Sequence, residues 1–412
     1  MFPALLQRQR HPGASRGVNL GWADSGFRRN DDEIRLIIKV SSAEGTIGES
    51  WGEWFDRHSR TFFIAPAVTL ILIFAIFPTF YSIVFAMSRV RFTSDGLQFR
   101  FVWFQNFAKQ FFGNDQVHFL GKTESIGVLG SVFFAAVTAA VLWWFYRSLK
   151  VTSWVGLLGR LISAAMAIFI AWIIGASLLS GNSIGTLLTT LFYVFVGCAL
   201  QFVIGTGLAF LCSQPISGKS FFRVIFFIPL MVTPLGVGYA MKMVADITKG
   251  PFEPLLRGFG IEDWVWSASP WGARFVMMIC DSWQWIPFIF ICMLAALENV
   301  PRDHVEAAQV DGASSVQTFR EIIWPQIVPV AVTVLLIRTI EAFKIVDLPN
   351  IMTGGGPGSS TESMTLHSVY IWRANDIGTS AAVAYLLLIL TVVVCASFFN
   401  YVVLGQLRKA RA

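Results

Sequence analysis

The chain is dominated by long apolar runs separated by short polar segments. Each run is about as long as the ~20 residues that a helix needs to cross a hydrocarbon core roughly 30 Å thick. Eight runs predict eight spanning helices, at 62–87, 125–146, 155–179, 183–212, 221–245, 271–297, 325–347 and 378–404. Pro229 and Pro234 interrupt the fifth run, which is therefore predicted to be a kinked or broken helix. The pattern predicts an all-α polytopic membrane protein.

Composition supports a membrane protein and excludes a soluble enzyme. Only 14% of the 412 residues are charged and 55% are hydrophobic, whereas soluble domains carry about 25% charged residues. The net charge of +6 does not indicate nucleic-acid binding, because the basic residues lie at the edges of apolar runs. The cysteines fall inside apolar runs without metal-ligand spacing, which predicts free buried thiols at Cys198, Cys212, Cys280, Cys292 and Cys395.

The basic residues also predict the orientation of the spans. An N-terminus inside the cell places most of them in cytoplasmic segments, and the outer loops 180–182 and 348–377 then hold only Arg373. Segment 88–124 is the exception, because it is assigned to the outside despite its basic residues Arg89, Arg91, Arg100, Lys109 and Lys122. Eight spans place both termini and segment 297–329 in the cytoplasm.

Residues 1–50 are polar and rich in Gly and Arg, without sustained periodicity. This composition predicts a disordered cytoplasmic extension. A start codon placed too early is the alternative.

Segment 297–329 is too rich in charge to lie in lipid. Asn299 is predicted to cap a helix that has Pro301 near its first turn, and Gly312 is predicted to end that helix in the left-handed conformation. Ser314 and Gln317 have the spacing of a capping box that begins a second helix. The segment is therefore predicted to form two short helices that meet at an angle.

The residues of this segment resemble a known motif. Glu306-Ala307-Ala308, Asp311-Gly312-Ala313, Ile322 and Pro325 resemble the EAA loop of bacterial ABC-importer permeases. The segment Thr353-Gly354-Gly355-Gly356-Pro357, followed by Thr361-Glu362, is similar to the TGGGP segment of maltose-type sugar permeases. The alternative for 297–329 is an ordinary amphipathic connector between spans. The resemblance implies that the residues that couple to the ATPase are Glu306, Ala307, Ala308, Asp311 and Gly312.

The resemblance covers roughly 51–92 and 180–408, and it implies a domain plan. Residues 51–92 would be the first span of a six-helix type I importer core, and 181–408 would be the rest of that core with coupling loop 297–329. Residues 93–180 would then hold an outer loop and an inserted pair of spans, 125–146 and 155–179. Because both spans are apolar all round, we expect them to face lipid.

Polar side chains inside two spans are candidates for a substrate path, because such groups are costly in a membrane. One helical face carries Asp281, Gln284, Trp285 and Phe288, and another carries Arg338 and Glu341. Both faces lie where the resemblance implies sugar contacts. Hydrogen-bonding groups beside aromatic rings suit a sugar. The alternative is an Arg338–Glu341 ion pair that only fixes helix packing. Asp281 would likewise pair with Arg274 or Arg338.

The resemblance implies a permease subunit of an ATP-driven sugar importer in the bacterial inner membrane. It would work with a second permease, an ATPase dimer and an extracytoplasmic substrate-binding protein. The sequence lacks a GxxxxGK[ST] motif, so ATP would be hydrolysed on another subunit. No catalytic residue, cofactor or metal site is expected, and His304 and His367 are isolated in sequence. The alternatives are a secondary transporter or channel, or a polytopic membrane enzyme. The enzyme alternative lacks support, because the sequence shows no paired carboxylate or His cluster at a membrane face.

Overall fold

The structure is a computed structural model that describes residues 59, 61–93, 96–123, 126–148, 154–214, 218–246, 249–251, 253–258 and 265–400. The predicted N-terminal extension, 1–50, and both chain ends lie outside these residues. The chain divides into two compact units, Met1–Pro78 and Thr79–Ala412. All sites described below lie in the second unit.

Helices form nearly all of the described secondary structure. The long apolar helices are α1 (Thr61–Ala86), α4 (Val128–Ser148), α5 (Trp154–Ile173), α6 (Thr186–Ser213), α10 (Pro270–Glu298), α12 (Ser315–Phe343) and α15 (Ile377–Phe398). The shorter helices are α2 (Gln105–Phe112), α3 (Gln116–Leu120), α7 (Lys219–Met231), α8 (Pro234–Val244), α9 (Glu253–Gly258), α11 (Arg302–Val310), α13 (Asp347–Met352) and α14 (Met364–Arg373).

Within the described residues, seven helices are long and apolar enough to cross a membrane, and an eighth span results if α7 and α8 are counted together. These two helices are bent by 102° relative to each other. Pro234 has no N–H to continue α7, and the Thr233 hydroxyl accepts the Gly236 N–H at 3.4 Å to begin α8. The predictions of an all-α polytopic protein and of a broken fifth span are therefore confirmed.

The seventh span differs from its prediction. The second helix of the 297–329 segment does not end before the apolar run but continues into it as the single helix α12. A π-helical turn, Phe319–Ile323, lies directly before Pro325 and accommodates the proline inside the helix. The helix ends at Phe343, four residues before the predicted limit at 347.

Segment 88–124 contains a small antiparallel sheet that the sequence did not predict. Strands β1 (Ser88–Thr93) and β2 (Gly96–Phe101) pair in the register Ser88↔Phe101 to Thr93↔Gly96. The buried Asn106 side chain on α2 donates to the Ala86 and Ser88 carbonyls at 2.9 and 3.0 Å. This contact joins the end of α1 to the helices that follow the hairpin.

Three long helices, α6, α10 and α12, pack around one apolar cluster that includes Ala209, Phe290, Met293 and Ala331. The helices α6 and α10 approach closely at Gly205, where a Cβ atom would lie 2.9 Å from Ile289. Small residues allow such close packing between membrane helices. The packing of these helices fixes where their polar side chains meet.

The two helices of the predicted inserted pair differ in burial. Only 6% of the apolar window of Val128–Arg147 is buried, compared with 33% for Gly156–Leu178. The two helices pack against each other where a Cβ atom on Gly130 would lie 2.2 Å from the Gly175 carbonyl oxygen. One face of α5, with Ile173 buried and Phe169 partly buried, joins a core cluster that also contains Leu191 of α6 and Leu390 of α15. The sequence predicted that both helices are equally peripheral, whereas only α4 is mostly exposed.

Candidate functional site

A buried polar cluster lies where α6, α10 and α12 meet, and we call Gln201, Asp281 and Arg338 the polar triad. The Arg338 guanidinium forms an ion pair with the Asp281 carboxylate, and its Nε donates to the Gln201 side-chain oxygen at 2.6 Å. The Gln201 amide then donates to Asp281 Oδ2 at 2.8 Å. The exposed fractions are 1% for Arg338, 7% for Asp281 and 0% for Gln201. Each member is thus paired with the other two, as burial in a low dielectric requires.

The aromatic residues of the predicted face lie beside the triad. The Arg338 guanidinium carbon stands 4.6 Å from the centroid of the Trp285 ring, a cation–π contact. Trp285 and Phe288 are half-buried and meet edge to face, with ring centroids 6.1 Å apart. The triad therefore holds an aromatic surface that is more accessible than the triad itself.

Gln284 links α10 to the break in the fifth span. Its side-chain amide donates to the Val232 carbonyl at 3.2 Å. In an unbroken helix that carbonyl would accept the Gly236 N–H, but the Gly236 N–H is bound to Thr233 instead. The buried Gln284 side chain thus satisfies a carbonyl that the bend leaves without its helical partner.

The alternative ion pair between Arg338 and Glu341 does not form. Arg338 points across to Asp281, whereas Glu341 pairs at 2.6 Å with Lys344, the residue directly after its own helix. Of the two basic residues considered for Asp281, Arg338 is its partner, while Arg274 donates from Nε to the Ser360 carbonyl at 2.6 Å. Of the pairings that the sequence left open, the one between helices, Asp281 with Arg338, is present, and the one within a helix, Arg338 with Glu341, is not.

Gln201 is not among the site residues predicted from the sequence. It is a polar side chain inside the apolar run 183–212, which is the same signal that singled out Asp281 and Arg338. Without a neighbouring polar residue at helical spacing, its partners were not visible from the sequence. Only the crossing of α6 with α10 and α12 brings it to them.

The polar segment 297–329 forms a sharp elbow between α11 and α12. Asn299 does not begin α11 as predicted, because it ends α10 and its side chain donates to the Ala295 carbonyl at 2.9 Å. The helix α11 begins after Pro301 instead. Gly312 has a φ of 79°, as predicted for a left-handed helix end. The predicted capping box is present, with Ser314 N–H donating to Gln317 Oε1 at 2.8 Å.

The surface of the elbow combines charge with exposed apolar side chains. Glu306, Ala307, Asp311 and Gly312 are exposed, and Ala308 is buried against the rest of the chain. Val310 is 88% exposed and Val316 is 75% exposed. The elbow thus leaves two apolar side chains exposed on the same segment as two carboxylates.

The segment 353–362 forms a tight, glycine-rich bend. Gly354, Gly355 and Gly358 have φ values of 60°, 86° and 62°. The Thr361 hydroxyl lies 2.6 Å from the Thr353 hydroxyl and donates to the Gly356 carbonyl at 3.0 Å. These contacts close the glycine-rich turn on itself.

The polar triad and the elbow both lie within a stretch of the chain that matches a known family. The model of the family "Binding-protein-dependent transport system inner membrane component" matches residues 156–409. The chain belongs to this family. It is therefore a multi-pass inner-membrane transport subunit. The resemblance to maltose- and glycerol-3-phosphate-type permeases is confirmed, and the matched residues begin within α5, the second helix of the predicted insertion.

Individual relatives agree with the family assignment. The chain is 31% identical over 221 residues to the trehalose/maltose transport system permease protein MalF of Thermococcus litoralis. The matched region is 53% of this chain and 74% of that protein. It is 27% identical over 234 residues to the sn-glycerol-3-phosphate transport system permease protein UgpA of Rhizobium meliloti, covering 55% and 78%. A similar fold occurs in a bacterial alginate ABC transporter solved with a pentasaccharide-bound periplasmic protein. The TM-score is 0.56 at 15% identity, over 85% of this chain and 96% of that one.

Proposed function

We propose that this chain is a permease subunit of an ATP-driven importer for a sugar or sugar-like solute. A second permease would complete the translocation path, an ATPase dimer would bind inside the cell, and a substrate-binding protein would dock outside. The family assignment and the relatives named for trehalose, maltose and glycerol 3-phosphate support this proposal.

The observation that carries the coupling role is the exposed elbow. Glu306 and Asp311 present carboxylates, and Val310 and Val316 present apolar tips on the same segment. We infer that Glu306, Ala307, Ala308, Asp311 and Gly312 form the contact with the ATPase. Because α12 is continuous from Ser315 to Phe343, a push on the elbow moves the helix that carries Arg338. ATP binding would thus change which conformation of the path is favoured.

The substrate path is assigned to the face of α10 and α12 around the polar triad. The half-buried Trp285, Phe288 and Glu341 would contact the solute, because a ring face packs on sugar C–H groups and a carboxylate accepts from hydroxyls. The buried Asp281, Gln284 and Arg338 would hold these groups in position. Arg338 is already paired with Asp281, so it offers no unpaired charge to the solute.

Charge reversal on the elbow tests the coupling role. Glu306→Lys should release the ATPase and abolish uptake. In the complex Glu306 would be buried against a basic group of the ATPase, and loss of one partner of such a charge pair costs about 2–5 kcal/mol, to which the new lysine adds repulsion. Glu306→Gln, which keeps the size and the hydrogen-bonding oxygen, should give an intermediate loss. The measurement is ATPase co-purification together with uptake. Normal ATPase binding and normal uptake in Glu306→Lys would show that the elbow is not the coupling element.

Cysteine labelling in intact cells tests the orientation. In a background without the native cysteines, Ala374→Cys, which is exposed after α14, should react with an impermeant thiol reagent. Arg302→Cys, exposed at the start of α11, should react only after the membrane is opened. Reaction of Arg302→Cys in intact cells would reverse the assignment of inside and outside.

A further inference from the structure

Two histidines and one glutamate meet where α3, the glycine-rich bend and α14 come together, and we call His118, Glu362 and His367 the histidine cluster. His118 Nε2 lies 2.9 Å from Glu362 Oε2, and His367 Nδ1 lies 2.8 Å from Glu362 Oε1. The two imidazole rings are stacked with centroids 4.5 Å apart. His367, which is isolated in sequence, is therefore one member of a three-residue group drawn from α3, the glycine-rich bend and α14.

The cluster is built into the fold rather than spread over a mobile surface. The side chains of Glu362 and His367 are 5% and 7% exposed, and that of His118 is 40% exposed. Gly355, in the left-handed conformation, packs against Glu362, and a Cβ atom there would lie 3.4 Å from the Glu362 Cβ. Each oxygen of the Glu362 carboxylate thus contacts one of the two stacked rings, and His118 forms the more exposed edge of the cluster.

One buried atom of the cluster lacks a hydrogen-bond partner. His367 Nε2 is fully buried and has no partner among the described residues, whereas Nδ1 of the same ring contacts Glu362. Buried polar atoms are normally satisfied, so the described residues leave this ring nitrogen available for a further interaction.

We propose that His118, Glu362 and His367 bind a Zn²⁺ ion. Two imidazole nitrogens and one carboxylate oxygen are a donor set that Zn²⁺ takes in proteins, with a fourth position left for water or another group. Ligand atoms of the three residues lie within 4.8 Å of one another. Ligands of a tetrahedral zinc ion at about 2.0–2.1 Å stand roughly 3.4 Å apart, so small side-chain shifts convert the hydrogen-bonded cluster into a coordination site.

The donor atoms of the cluster favour a borderline-soft ion such as Zn²⁺ over the hard ions Ca²⁺ and Mg²⁺. Ca²⁺ and Mg²⁺ prefer six or more oxygen ligands, and the cluster offers one carboxylate with two nitrogens. The ion would tie α3, from the segment before α4, to the bend and to α14, across a sequence separation of 244 residues. Under the proposed topology this brace lies outside the cell, on the side where a substrate-binding protein would dock.

Zinc binding is tested on the purified full-length chain in detergent, prepared without a polyhistidine tag and stripped with a chelator. Equilibrium dialysis against buffered Zn²⁺ should give one tight site for each chain, and thermal unfolding should shift to higher temperature with Zn²⁺. Neither measurement needs transport, an ATPase or a known orientation. A failed uptake assay would therefore count against the proposed function and not against the metal site.

Variants separate coordination from packing. His118→Phe keeps a ring that can stack on His367 but lacks the nitrogen, and it should lower zinc affinity at least tenfold while the unliganded chain remains folded. His367→Gln should do the same, and His304→Gln, at the elbow, is the control for loss of one imidazole and should bind as the wild type does. Absence of a stoichiometric site in the wild type, or unchanged affinity in a folded His118→Phe chain, would overturn the proposal.

Discussion

The polar triad and the elbow handle charge in opposite ways. Asp281 and Arg338 lie inside the bundle, at most 7% exposed, and are paired with each other and with Gln201. Glu306 and Asp311 on the elbow are exposed, and the nearby Val310 is 88% exposed. One region completes its interactions within the chain, and the other leaves its charged and apolar side chains exposed. Burial, more than residue type, therefore distinguishes the two regions.

This contrast predicts different kinds of failure. A change in the triad should destabilise the folded chain itself, because an unpaired charge remains in a low-dielectric interior. A change on the elbow should leave the chain folded and reduce only its coupling to the partner. Variants in each region should separate these two kinds of failure.

The largest effect is expected from removing the buried carboxylate. Asp281→Ala leaves Arg338 buried and without its ion-pair partner, which should cost about 3–5 kcal/mol and greatly lower the yield of folded chain. Thermal unfolding in detergent is the measurement. Glu341→Ala is the matched control, because its pair with Lys344 is half exposed and should contribute at most about 1 kcal/mol.

A double variant sharpens the same test. Asp281→Leu combined with Arg338→Met removes both charges and fills similar volume, so it should recover most of the lost stability. Equal destabilisation by Asp281→Ala and Glu341→Ala would show that the triad does not support the fold.

A middle-sized effect is expected at the elbow, from backbone strain alone. A Cβ atom on Gly312 would meet no other atom within 4 Å, so the cost of Gly312→Val comes from its φ of 79°. Strain of this kind costs about 1–3 kcal/mol. We expect reduced ATPase co-purification and uptake with a normal yield of folded chain. Gly312→Asn should retain more function, because Asn tolerates the left-handed region. Equal losses in both variants would exclude strain as the cause.

The smallest effect is expected at the contact between α10, which carries Asp281 of the triad, and the broken span formed by α7 and α8. Gln284→Leu removes the donor to the Val232 carbonyl and should lower stability by about 1 kcal/mol. The change should alter the rate or selectivity of uptake while the ATPase remains bound. Ser282→Ala is the control, because the Gln201 amide keeps its shorter bond to Asp281. Loss of the ATPase in Gln284→Leu would contradict the separation of the two regions.

Much of the architecture was predictable because it depends on local patterns. Apolar run length gave the spans, and most limits lie within a few residues of the helix ends, as for 271–297 against Pro270–Glu298. Pro229 and Pro234 predicted the broken span, and Gly312 with Ser314 and Gln317 predicted the elbow. Each of these features follows from backbone chemistry within a few residues.

Residues far apart in sequence met in ways that no local pattern encodes. Gln201 joins Asp281 across 80 positions, and His118 joins Glu362 across 244. The same holds for the unequal burial of α4 and α5, since both runs are apolar and only contact with the core makes α5 different. The sequence by itself determined which segments are helices, where they break and which positions on each are polar. Only the packing of helix against helix decided which polar groups are paired, because a charge inside the bundle takes its partner from whichever helix crosses beside it.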